Sequence, residues 1–119
     1  MSVNVFEQMI GATIERINRT SDELTFHATD GRVFRFHHYQ SCCESVYIED
    51  VTGDLDDLLG TPLVMAEEVS NMDAPKPEHV YESYTWTFYR FGTNKGSVTV
   101  RWLGTSNGYY SESVNFEVL

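Results

Sequence analysis

Ser83-Tyr84-Thr85-Trp86-Thr87-Phe88-Tyr89-Arg90-Phe91-Gly92-Thr93-Asn94-Lys95-Gly96-Ser97-Val98-Thr99-Val100-Arg101-Trp102 is the stretch that decides the fold. Its apolar residues recur every second position, the mark of strands with a buried face. Tyr84, Trp86 and Phe88 share one side, opposite Ser83, Thr85, Thr87 and Tyr89. Gly92-Thr93-Asn94-Lys95-Gly96 turns the chain, after which Val98, Val100 and Trp102 alternate with Thr99 and Arg101. Asn107-Gly108 is a second hairpin turn, and Tyr110, Val114, Phe116 and Val118 line one face of a closing strand. Three strands with one aromatic face need a second layer to cover it.

The N-terminal third supplies that layer. Leu24, Phe26 and Ala28 alternate with Thr25, His27 and Thr29, Asp30-Gly31 turns the chain, and Phe34 and Phe36 then oppose Arg35 and His37. A preceding strand over roughly 13–19 pairs through Thr20-Ser21-Asp22, so the first three strands read as an antiparallel meander. A fourth strand covers 45–51, with Val46, Ile48 and Asp50 on one side. Leu63–Ala66 offers another, and 70–80, with two prolines, reads as a loop. Asp54 can cap a short helical segment over Leu55–Leu59 that Gly60 ends. Val3–Ile10 suits a short amphipathic helix ended by Gly11. The expectation is a mainly β (α+β) domain of about seven antiparallel strands in two meanders. They would form a two-layer sheet or partly open barrel with one or two short helices.

At 119 residues the chain is expected to be one domain, and 41% hydrophobic residues argue for a packed core. The net charge is −10, with no lysine or arginine between 36 and 75 and nine carboxylates there. Such a surface repels phosphate backbones and anionic membranes and favours a basic protein partner. No segment approaches the ~20 apolar residues of a membrane span, and Met1-Ser2-Val3-Asn4 has no basic start, so the sequence predicts a cytoplasmic protein. Its two adjacent cysteines are not expected to form a disulfide.

Three groups of residues could carry chemistry or binding. His37-His38-Tyr39-Gln40-Ser41-Cys42-Cys43 gathers nitrogen and sulfur ligands, so His38, Cys42 and Cys43 are candidate zinc ligands, with Glu44 or His79 to complete the set. Adjacent cysteines rarely serve one ion, and otherwise no cofactor is indicated. The acids Glu49, Asp50, Asp54, Asp56 and Asp57 form a candidate docking face; they lack the spacing of a calcium loop. With Trp86 turned to the core, Tyr81, Tyr89, Phe91 and Tyr109 fall on the opposite face or at strand ends, near Arg90 and Arg101. Tyr89, Arg101 and Tyr109 then offer an interface anchor or a stacking platform, the other reading being a second core layer beneath the N-terminal helix. No assembled catalytic set is evident, and an aromatic edge strand would favour pairing with a second copy.

Cys42-Cys43-Glu44-Ser45-Val46-Tyr47-Ile48-Glu49-Asp50 and Gly53-Asp54-Leu55-Asp56-Asp57-Leu58 resemble the signature of an uncharacterised small domain family of bacteriophages and bacteria. Glu82–Tyr89, Arg101-Trp102 and Ser106–Val114 extend the likeness. The resemblance implies a phage or prophage origin and, the family being of unknown function, no activity. The expectation is a non-catalytic acidic protein that occupies a host defence or nucleic-acid-handling factor in the bacterial cytoplasm. Two alternatives are a small-molecule or nucleotide sequestering protein and a zinc-binding domain.

Overall fold

The structure is a computed structural model that describes residues 5–39, 44–71, 83–106 and 112–119. Its described strands are β1 (Ile14–Arg19), β2 (Leu24–Ala28), β3 (Val33–His37), β4 (Ser45–Thr52), β5 (Met65–Asn71), β6 (Ser83–Thr93), β7 (Gly96–Ser106) and β8 (Asn115–Val118). They form two four-stranded antiparallel sheets, ordered β1-β2-β3-β8 and β4-β7-β6-β5. The mainly β expectation holds, with eight strands and no closed barrel among the described residues. Where short helices were expected, the described residues form 3₁₀ turns, Val5–Gln8 and Leu55–Leu58. Four residues make too few intrahelical bonds to nucleate a helix.

The β1–β3 meander follows its alternation closely. Leu24, Phe26, Phe34 and Phe36 are fully buried, and Gly31, at φ +91°, makes the turn between β2 and β3. Phe36 lies at the centre of the core, with Phe6, Phe26, Tyr89, Phe91 and Phe116 around it at centroid distances of 4.8 to 6.1 Å.

The second sheet departs from expectation in three ways. First, β6 is turned over. Tyr89 and Phe91 face the core, and Trp86 lies outside the core cluster, on the outer face. Second, β4 carries a bulge between Ile48 and Asp50. Ile48 and Val51 both pack on the core, so Glu49 and Asp50 together face outward and the predicted Val46, Ile48, Asp50 row ends at Ile48. Third, the closing strand leaves the sheet of β6 and β7. β8 pairs with β3 of the other sheet, Phe36 opposite Phe116, so the two sheets are not two simple meanders.

Close backbone approach makes that transfer possible. A Cβ on Gly104 would stand 2.8 Å from Glu112 Cβ and nearer still to the Glu112 carbonyl oxygen. Glu112 then accepts hydrogen bonds from Thr85 Oγ1 at 2.8 Å and Ser106 Oγ, pinning the crossing to β6 and β7. Elsewhere, Ser21 O accepts from Ile48 N at 2.7 Å, and Ile14 O accepts from Gly60 N at 2.9 Å. These bonds occupy edge groups of β4 and β1 that another chain could otherwise pair with.

Candidate functional site

The outer face of β4, β7 and β6 brings together the largest share of the candidate residues. Strand register sets Arg101 of β7 between Asp50 of β4 and Phe88 of β6, and sets Leu103 between Tyr47 and Trp86. The Arg101 guanidinium lies over the Trp86 ring, 5.1 Å from its centroid, and donates from Nε and Nη2 to Glu49 Oε2. Glu49, Arg101 and Trp86 therefore form one layered unit: carboxylate, cation and indole. Arg101 and Glu49 side chains keep 39% and 32% of their exposure, whereas Trp86 is 8% exposed. A cation over an aromatic face in such a half-exposed place contributes about 0.5–1 kcal/mol.

At the end of β4 the acids take separate roles. Asp50 accepts from Thr52 Oγ1 at 3.3 Å and stays exposed. Asp54 caps the Leu55–Leu58 turn by accepting from Asp56 N at 2.9 Å. Asp56 is exposed. Asp57 is half-buried beside the β6–β7 turn, where its carbonyl accepts from Thr93 Oγ1 and its carboxylate lies against Gly96. Among the described residues no cation stands within ion-pair distance of Asp50, Asp54 or Asp56. Of the remaining acids in the run, Glu67 faces Arg90 at 3.6 Å. Glu68 stands opposite Tyr89 in the β5–β6 ladder, and Glu44 is buried against His38.

Tyr89, expected on the outer face, lies in the core instead. It is 1% exposed, with the Phe6 ring 5.6 Å from its own, so it forms the core layer beneath the N-terminal segment and presents no outer platform. Burial, aided by Glu68, pushes its hydroxyl far above the ordinary range. Alternation could not fix the parity of β6, because both of its faces are apolar. The turn could have fixed it. With Asn94-Lys95 as the turn, Phe91 falls opposite Val98 and Tyr89 opposite Val100. Tyr109 lies outside the described residues.

Cys42 and Cys43 also lie outside them, so the zinc reading rests here on His38. Its ring is engaged at both nitrogens. Nδ1 lies 2.8 Å from the Ser113 carbonyl oxygen, which can only accept, and Nε2 lies 3.1 Å from Glu44 Oε2. The two side chains are 4% and 1% exposed. Sequence grouped His38 with Glu44; the fold joins them as a buried pair tying the start of β4 to the approach to β8. A metal on His38 would have to displace one of those contacts. Among the described residues no group of three or more His, Cys, Asp or Glu side chains is placed to hold an ion.

The outer face of the first sheet carries a network that sequence reading missed. Glu117 of β8 accepts from the Tyr39 hydroxyl and lies 3.8 Å from Arg35 Nη1. His37 Nε2 comes within 3.1 Å of it, at an angle too oblique for a hydrogen bond. The Tyr39 hydrogen bond, with His37 and Arg35 behind it, holds the Glu117 carboxyl below its ordinary range. Arg35 opposite Glu117 in the ladder was the available signal, but it needed the β3–β8 pairing.

With that geometry in view, the chain matches the domain of unknown function DUF7448 over residues 7–116. It belongs to that family. No curated protein and no solved structure matches it. Membership accounts for a shared fold and assigns no chemistry. No described helix is long and apolar enough to cross a membrane.

Proposed function

We propose that this DUF7448 domain is a non-catalytic binding module of a phage or prophage. It docks on a basic surface of a host protein, a defence or nucleic-acid-handling factor, through the end of β4 and the outer face beside it. The observation that carries the reading is the run Asp50, Asp54 and Asp56. These are three exposed carboxylates without a cation partner among the described residues, on backbone fixed by a strand, a cap and a turn. A rigid acidic group steers a cationic partner and does not have to be ordered when the partner binds. The adjoining Arg101 and Tyr47 are residue types that anchor interfaces, with the buried Trp86 supporting Arg101 from behind.

The test is capture from host lysate with the native chain and with Asp50→Lys/Asp54→Ser/Asp56→Lys, in which serine keeps the cap. The native chain retains a protein that elutes with rising salt, and the variant, equally folded, does not. Identical capture by both would refute the docking face. The genes flanking the coding sequence would test the phage origin separately.

A further inference from the structure

The Glu49–Arg101–Trp86 unit has a feature that charge alone does not give. A guanidinium is planar and stacks on aromatic faces. One face of Arg101 rests on Trp86, and Glu49 holds its edge through two nitrogens. Its remaining exposure, 39% of the side chain, faces outward. Arginine is costly to order because of its many rotamers, and here the cost is met before any partner arrives. Its charge is balanced by Glu49, so the surrounding potential stays negative. Phe88 and Asp50 stand on either side of it in the ladder.

We propose that the outward face of Arg101 seats one aromatic side chain of the partner, within a segment whose flanking lysines or arginines meet Asp50, Asp54 and Asp56. The inference rests on the acidic docking face proposed above and names the partner chemistry at it. An aromatic ring on Arg101 would complete a ring–guanidinium–indole stack. The nearest basic neighbour of that ring would lie over Asp50, opposite Arg101 in the ladder, and one further along the segment would reach towards Asp54 and Asp56 beyond the end of β4. A uniformly basic segment would use the acids alone and leave the stack open.

Two synthetic nonapeptides test this, both lysine-rich, one with a central phenylalanine and one with alanine there. Binding is followed by NMR at fixed ionic strength, reading the Arg101 Nε–H resonance. Both peptides bind, the phenylalanine peptide about two- to fivefold more tightly, the range that one exposed cation–π contact supplies. Only that peptide moves the Arg101 signal upfield by its ring current, and Arg101→Lys, which keeps the charge and loses the plane, removes the preference. Equal affinities without the ring-current shift overturn the aromatic seat and leave the acidic face standing. A preference that survives in Arg101→Lys overturns it as well. Failure of both peptides to bind overturns the seat and the docking face together.

Discussion

Gly104→Ala is the substitution that most directly tests how this fold is closed. The added methyl would lie 2.8 Å from Glu112 Cβ and 3.0 Å from the Glu112 carbonyl carbon, tighter than real Cβ atoms tolerate. The obstructing atoms belong to backbone and to a Cβ, so no side-chain rotation relieves the contact. Overpacking of that kind costs about 1–3 kcal/mol. If the crossing segment moves away instead, Glu112 gives up its bonds from Thr85 and Ser106, each worth about 1.5–3 kcal/mol to a carboxylate. The chain takes the cheaper course, so the expected loss is at least about 1 kcal/mol and at most about 3 kcal/mol. In urea that is a midpoint lower by about 0.5–1.5 M, for a slope of about 2 kcal/mol per M. Gly92→Ala is the control. Its methyl would meet Met65 Cε at 3.3 Å, the flexible end of a side chain, and the expected cost is below about 1 kcal/mol. A Gly104→Ala protein within about 0.5 kcal/mol of the native chain would refute the close crossing and the β7-to-β8 transfer built on it.

Other perturbations probe other joints. Glu44→Ala leaves His38 buried without its carboxylate and should cost about 3 kcal/mol by urea unfolding; replacing both partners with apolar residues should cost less than that single change. Gly53, at φ +106°, would set a methyl 2.7 Å from Ser97 O, so Gly53→Ala should lose about 2 kcal/mol. Glu117 has a folded value below its ordinary 4.5, so its contribution is present above pH 4.5 and is lost as pH falls through the folded value. Glu117→Gln should therefore flatten the stability curve below pH 4.5, measured by thermal unfolding from pH 3 to 7.

What sequence could and could not give follows from how one-sided each strand is. β2 and β3 carry Phe26, Phe34 and Phe36 against Thr25, Arg35 and His37, so a one-residue slip would bury charge, and the alternation was decisive. β6 offers Tyr84, Trp86 and Phe88 on one side and Tyr89 and Phe91 on the other, so hydrophobicity gave no preference and cross-strand register decided. β8 was legible as a strand but not as a member of the first sheet, because period two says nothing about which edge a strand joins. Gly104 was a readable hint of that transfer: a lone glycine inside a strand pattern marks close backbone approach. The bulge that turns Glu49 and Asp50 outward together left no local signal.

The fold changes what the net charge means. Nine carboxylates in a run without lysine or arginine suggest a broad negative surface, yet half of the eight described ones are engaged by other parts of the fold. Glu44 is sealed against His38, Glu49 holds Arg101, Glu67 faces Arg90, and Asp57 packs on a turn. An acid ion-paired within the fold, as Glu49 is to Arg101 and Glu67 to Arg90, has less field left for a second protein, because the opposite charges offset each other at a distance. Among the described residues of the run, the exposed acids without a cationic partner are Asp50, Asp54, Asp56 and Glu68, the first three within one strand end and its cap. Partner recognition by charge should accordingly be local. Neutralising Asp50, Asp54 and Asp56 should abolish salt-sensitive binding, whereas neutralising Glu67 and Glu68 on β5, which removes nearly as much formal charge, should leave it unchanged.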